Sequence, residues 1–212
     1  MEISLIDILG YTSVFSGLPA VLIGLYRRSF NTAIIKWAFF YVLGSLVIDV
    51  TSSMLNTLFN LHNLITINSW QVIKIFTVTA FYYSLSSKKW NIPSLTFASV
   101  VLITILLEGF TIKHSFYGNM LGTIIGIGLG FHYFYNLYKN ETEIFIEDSV
   151  TFWIACAFFF NGTGSFFSYL LSQQILTDRA TFEGWVVFVT INIATNFIIA
   201  FALWKAPALG NK

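Results

Sequence analysis

Charge is scarce in this chain. Asp, Glu, Lys and Arg make up 10% of its 212 residues and leave a formal net charge of +1, whereas a soluble domain carries about 25%. A nucleic-acid-binding protein needs a concentrated basic surface, and none is available here. The single cysteine, Cys156, cannot close a disulfide within the chain and carries no information on redox compartment. There are three prolines and no Pro-rich, Ser-rich or low-complexity linker, so residues 1–212 read as one domain. Metal-binding spacing is missing too. His62, His114 and His132 form no HxxxH or HExxH pattern, and His132 falls near the opposite membrane boundary from the other two. Zinc needs its ligands about 2 Å from one ion. His62, His114 and Glu108 share only a rim, so neither metal nor cofactor is expected.

Two membrane chemistries are excluded in the same way. Retinal-type photochemistry needs a lysine inside the seventh span, which has none before Lys205. An intramembrane serine protease needs a histidine level with its serine. Asn161–Gly162–Thr163–Gly164–Ser165 has none, because His132 belongs to the other boundary. No enzyme is expected.

What the chain does have is apolar length. Hydrophobic residues make up 56% and mean hydropathy is +0.74. A helical span needs roughly 20 apolar residues at ~1.5 Å rise each. Seven stretches meet that need: Ile3–Tyr26, Thr32–Asn56, Leu64–Ser86, Pro93–Thr111, Phe116–Tyr138, Ser149–Ser172 and Gly184–Trp204. Barrel strands alternate at period two, but Val100–Leu107 and Phe197–Leu203 are apolar on every side. The expectation is an all-α, polytopic membrane bundle of seven transmembrane helices, with no soluble domain outside it.

Arg27, Arg28, Lys36, Lys88, Lys89, Lys139, Lys205 and Lys212 fall at one set of span ends, and only Lys113 and Arg179 at the other. Short basic loops stay cytoplasmic. This places the N-terminus outside and the C-terminus in the cytoplasm. Glu2 and Asp7 precede the first apolar run and two arginines close it, the reverse of a cleaved signal peptide. Trp37, Trp90, Trp153 and Trp204 lie near inner boundaries, and Trp70 and Trp185 near outer ones, where indole is favoured.

Polar groups inside spans carry the functional information. A charge near a helix centre costs about 2.5–3.5 kcal/mol on insertion scales and normally faces the bundle interior. Asp49, Lys74 and Glu108 lie on the second, third and fourth spans, and an Asp49–Lys74 or Glu108–Lys74 contact would suit their depths. Helical spacing adds Ser45, Ser52, Ser53 and Asn56 to the Asp49 face. It adds Trp70, Gln71 and Thr77 to Lys74, and Thr104 and Thr111 to Glu108. Asn161, Ser165, Ser168 and Ser172 line the sixth span, and Asn192 and Asn196 the seventh. The expectation is a polar outer half, read either as a ligand site of Asp49, Trp70, Lys74, Glu108 and Asn192 or as hydrogen-bonded glue worth ~0.6 kcal/mol per bond. On the fifth span Gly118, Gly122, Gly126 and Gly130 repeat every four residues beside Gly128. This glycine-zipper pattern offers a groove to a helix of the same chain or of a second copy.

Leu18–Pro19 with Leu25–Tyr26–Arg27–Arg28, Tyr41 to Ser52, Phe81–Tyr82–Tyr83, Tyr133–Phe134–Tyr135, Phe152–Trp153–Ile154, Gly162 to Phe167, and Asn192, Asn196 with Ala202–Leu203–Trp204 carry a resemblance. Together they resemble a family of small, largely uncharacterised bacterial seven-helix membrane proteins, often encoded beside sensor histidine kinases. Members tend to carry a glutamate in place of Lys74 and another near Gly122, and this chain departs at both. The resemblance implies a signalling accessory or sensor and brings no catalytic residues.

The functional expectation is a receptor-like subunit that binds a small ligand or partner in an outward-facing polar cavity. It would relay helix shifts to a cytoplasmic signalling partner, for which Glu141, Glu143, Glu147 and Asp148 offer a docking surface. Two alternatives stay open. One is a small-solute transporter with a three-plus-one-plus-three repeat, echoed by Leu25–Tyr26–Arg27 and Leu137–Tyr138–Lys139, Trp37 and Trp153, and Trp70 and Trp185. The other is a structural subunit of a larger complex.

Overall fold

A computed structural model describes residues 5–27, 32–59, 64–85, 88–108, 115–140, 146–174 and 178–207. Among the described residues the chain is helical, without strands. Its elements are α1 (Leu5–Phe15), α2 (Leu18–Arg27), α3 (Ala33–Phe59), α4 (Leu64–Leu85), α5 (Lys88–Leu107), α6 (Phe116–Asn140), a 3-10 turn at Ile146–Asp148, α7 (Val150–Gln174) and α8 (Asp178–Lys205). Four stretches of the described residues are long and apolar enough to cross a membrane: Ile8–Arg27, Ala33–Leu55, Val150–Ser168 and Trp185–Lys205. Helix α4 dilutes its apolar content with Asn68, Gln71 and Lys74, and α6 with its glycines and His132. Large side chains such as Leu22, Phe40, Phe76, Leu106, Phe131, Phe167 and Phe197 are exposed. So much outward apolar surface suits a lipid solvent and not water.

The helices close into a ring in chain order. Each rod packs on the next, and the last, α8, returns to α1 and α2. Across the middle, α4 reaches α6, and α3 touches α7 and α8. One end of the bundle holds Arg27, Lys205 and Asp148; the other holds Glu108 and Ser115. At the Arg27 end, the Arg27 guanidinium lies 4.7 Å from the Trp204 ring and donates to the Ala206 carbonyl. Trp153 donates to the Glu147 carbonyl at 2.8 Å, and Lys205 pairs with Asp148 at 3.1 Å. The described part of the acidic linker is thus tied to its own chain. Glu141 and Glu143 lie outside the described residues.

The two halves are built differently. Toward Arg27 the core is aromatic and small-residue: Tyr41, Phe81 and Phe158 stack edge to face with centroids 4.9–5.0 Å apart, among buried Ala20, Ala38, Ala155, Ala157 and Ala202. Small residues let helices approach closely. Toward Glu108 the interior is polar, with Ser45, Asn68, Gln71, Lys74, Asn119, Ser165 and Asn192 buried.

The first span departs from the single uninterrupted helix expected over Ile3–Tyr26. It breaks at Ser16–Gly17 into α1 and α2. The cause is local: Pro19 has no N–H to give the Phe15 carbonyl, and the Ser16 hydroxyl takes the Ser13 carbonyl at 2.7 Å. Val21 donates to Gly17 to restart the helix. The fourth helix also begins earlier than the expected Pro93, at Lys88.

Candidate functional site

Asp49, Lys74 and Glu108 occupy three settings. Asp49, on the face of α3 expected from the spacing, accepts from Ser45 at 3.2 Å and lies beside the side chain of Asn192 on α8. Asn192 also donates to Ser13 on α1 at 3.1 Å. Lys74 is buried on α4, and its ammonium donates to Ser165 on α7 at 3.2 Å. No carboxylate among the described residues comes within ion-pair distance of it; Lys205–Asp148 is the one ion pair that joins two described residues.

Glu108 lies one helical turn beyond Thr104, to whose carbonyl its N–H donates at 3.0 Å. It occupies the turn after α5, and Thr111 lies outside the described residues. Its carboxylate accepts from the Ser115 hydroxyl, from the Tyr117 N–H at 2.9 Å and from the Gly118 N–H at 3.0 Å. It therefore caps α6, whose first N–H groups lack partners of their own and whose dipole favours an anion. Glu108→Ala should destabilise the protein by about 1–2 kcal/mol. Amide exchange should accelerate at Tyr117 and Gly118 but not along α3.

The other expected residues divide similarly. Trp70 stacks on Tyr41 at 5.1 Å and packs against the apolar core. Gln71 joins Lys74, while Thr77 returns its hydroxyl to the backbone carbonyls of Ile73 and Lys74. Asn161 donates to Thr195 at 3.4 Å and Asn196 to Ser16 at 2.7 Å, so α7, α8 and the first span are stitched side chain to side chain. His62 and His114 lie outside the described residues. His132 pairs with Asn136 at 2.8 Å, and no metal-competent cluster of His, Cys, Asp or Glu occurs among the described residues.

The glycine repeat is not a zipper for one helix. A Cβ on Gly118 would meet Ile105 of α5, one on Gly122 would meet Ile75 of α4 at 3.0 Å, and one on Gly130 would meet Phe159 of α7 at 2.7 Å. Gly126 and Gly128 have nothing within 4 Å. Four residues advance about 400° around a helix, so the stripe rotates by about 40° per repeat and fronts different neighbours in turn. Its glycines act as notches for separate side chains.

Lys74 borders a crevice among α4, α5, α6 and α7. Gln71, Thr79, Thr123, Gly122 and Gly126 share its lining with Ile75, Val101 and Phe158. The space between atoms is ≈ 480 Å³, but the centre of a water can sit in only ≈ 20 Å³ of it, about enough to hold one water. The crevice is amphipathic and nearly closed.

Sequence reasoning missed Ser13, Ser16, Thr123 and Thr195. The signal for the two serines was present as Ser16–Gly17–Leu18–Pro19, a helix-breaking run within an apolar span. No family model, no curated protein and no solved structure matches this chain.

Proposed function

We propose that this chain is a receptor-like sensor subunit of a bacterial cytoplasmic membrane, with seven spans, its N-terminus outside and its C-terminus inside. The Glu108 end then faces outward. Its ligand is a small molecule with an anionic head and an apolar body, bound at the Lys74 crevice. The observation that carries this reading is Lys74 itself: a buried ammonium with one hydroxyl partner and no counter-charge among the described residues, beside a space lined with both polar and apolar side chains. Such intramembrane charges are costly and mark function by default. A ligand larger than water enters only if α4 to α7 move apart, which supplies the helix shift that a cytoplasmic partner reads. The ring closed in chain order supports a receptor-like bundle. A repeat of two three-helix units would pack the first rod on α4 and α6 on α8, and neither pair is in substantial contact. The resemblance to small seven-helix proteins encoded beside sensor kinases belongs to the same proposal.

The test is thermal unfolding of the purified protein in nanodiscs, titrated with octanoate and with octanol. Octanoate should raise the midpoint saturably and octanol should not, and Lys74→Gln should erase the difference. An equal response to both compounds, or an octanoate response retained by Lys74→Gln, overturns the reading. One observation favours the transport alternative, namely the interrupted first span beside Asp49, since broken helices line substrate paths in transporters. Flux of octanoate into sealed vesicles that Asp49→Asn abolishes would move the assignment to transport.

A further inference from the structure

The interruption of the first span coincides with a second polar cluster, separate from the Lys74 crevice. Ser16 is eight residues past Ile8, the first described residue of the apolar stretch, and thus roughly 12 Å along it at ~1.5 Å per residue. Around it stand Ser13 and Ser16 of the first span, Ser45 and Asp49 of α3, and Asn192 and Asn196 of α8. Ser16, Ser45, Asn192 and Asn196 are each at least nine-tenths buried.

One atom in this cluster lacks a partner. The amide nitrogen of Asn196 donates to Ser16 Oγ at 2.7 Å, while Asn196 Oδ1 is buried without any hydrogen bond. The amide cannot be turned to remove the problem. Ser16 has one hydroxyl proton, and it goes to the Ser13 carbonyl at 2.7 Å. Ser16 Oγ can therefore only accept from Asn196, and the carbonyl oxygen of that amide is left bare. Buried acceptors of this kind normally find a partner.

We propose that Asp49, Asn192, Asn196 and Ser13 form a binding site for a monovalent alkali cation at the break between α1 and α2. The donor set is all oxygen, the hard chemistry that alkali and alkaline-earth ions prefer. It holds one carboxylate, so a single positive charge leaves the site neutral inside the membrane, whereas a divalent ion would leave a buried net charge. Unwound helix backbone paired with polar side chains at mid-membrane is where such ions are coordinated in other membrane proteins. Asp49 and Ser13 are partly exposed, and Asn196 lies buried one helical turn beyond Asn192. The site does not depend on the Lys74 crevice or its ligand.

The experiment measures unfolding midpoints of the purified full chain in nanodiscs at fixed ionic strength, exchanging choline chloride for sodium or potassium chloride. A saturable rise with either alkali ion is expected. Asp49→Asn should weaken the half-saturating concentration at least tenfold, and Asn196→Leu should do the same while leaving the midpoint in choline unchanged or higher. If either variant fails to fold, Ser13→Ala provides the readout, with half-saturation shifted about threefold or more. Identical midpoints in choline, sodium and potassium overturn the proposal, including the case where the midpoint follows pH alone because a proton occupies Asp49. An alkali effect unchanged in all three variants also overturns it.

Discussion

Lys74→Met should yield a protein that is harder to unfold and no longer responds to octanoate. Methionine keeps the length and most of the volume of the lysine stem, so the surroundings of Ile75 and Phe158 need little repacking. The charge removed is one that costs about 2.5–3.5 kcal/mol to hold in a bilayer. Against that gain, the Ser165 hydroxyl loses the ammonium at 3.2 Å, a loss of about 1 kcal/mol. The balance is a stabilisation of about 1.5–2.5 kcal/mol, measurable by denaturant titration in mixed micelles. The sign matters more than the size. A residue retained to hold α4 against α7 should destabilise when truncated, whereas a binding group at an unfinished site should stabilise when removed and take the response with it. A clear loss of stability in Lys74→Met would identify the lysine as a structural donor and remove the basis of the sensor reading.

The second large effect should come from Gly164→Val. Gly164 lies on α7 where it faces α8, and any Cβ there would run into the Ile191 side chain, with Cγ1 at 2.7 Å and Cγ2 at 3.0 Å. No helix pair in the bundle is more extensively packed than α7 and α8. A β-branched side chain cannot rotate out of the way in a helix, so the helices must part or Ile191 must leave its rotamer. Overpacking of this kind costs about 1–3 kcal/mol, and here the upper part of that range is expected. Ile191→Ala in the same chain should recover most of the loss, giving a coupling energy of about 1–2 kcal/mol in a double-mutant cycle. Gly128→Ala is the control. It meets nothing within 4 Å and should lose no stability, because alanine is the better helix former by up to about 1 kcal/mol. An equal loss in both variants would mean that the glycines matter for backbone flexibility and not for the notches they leave.

Hydropathy was enough to read the helices, because a run such as Phe197–Leu203 has one stable conformation in lipid. Spacing within a helix was equally legible: Ser45 and Asp49, four residues apart, are hydrogen-bonded as that spacing requires. Partners across helices were not. Asp49, Lys74 and Glu108 are expected at compatible depths, but depth leaves the rotation of each helix about its axis undetermined, and rotation decides which neighbour a side chain meets. Asp49 turns toward Asn192 and Lys74 toward Ser165. Glu108 proved to be a cap because the apolar run of α5 ends at Leu107, one residue before it. The glycine repeat misled for a related reason: a four-residue period is not the helix period, so its face drifts. The break at Ser16–Gly17 was written in Pro19, but a hydropathy window averages over one proline in an otherwise apolar stretch.

The division of the bundle into an aromatic, alanine-rich half and a hydrogen-bonded half has a mechanical consequence. Interlocked rings and methyl groups deform little, since any shift forfeits many contacts at once. Hydroxyl and amide pairs can exchange partners at small cost when water or an ion supplies a substitute. On the proposed sensor reading, movement that starts near Asp49 or Lys74 would therefore arrive at Arg27 and Lys205 as a tilt of intact rods, pivoting on the stack of Tyr41, Phe158 and Phe81.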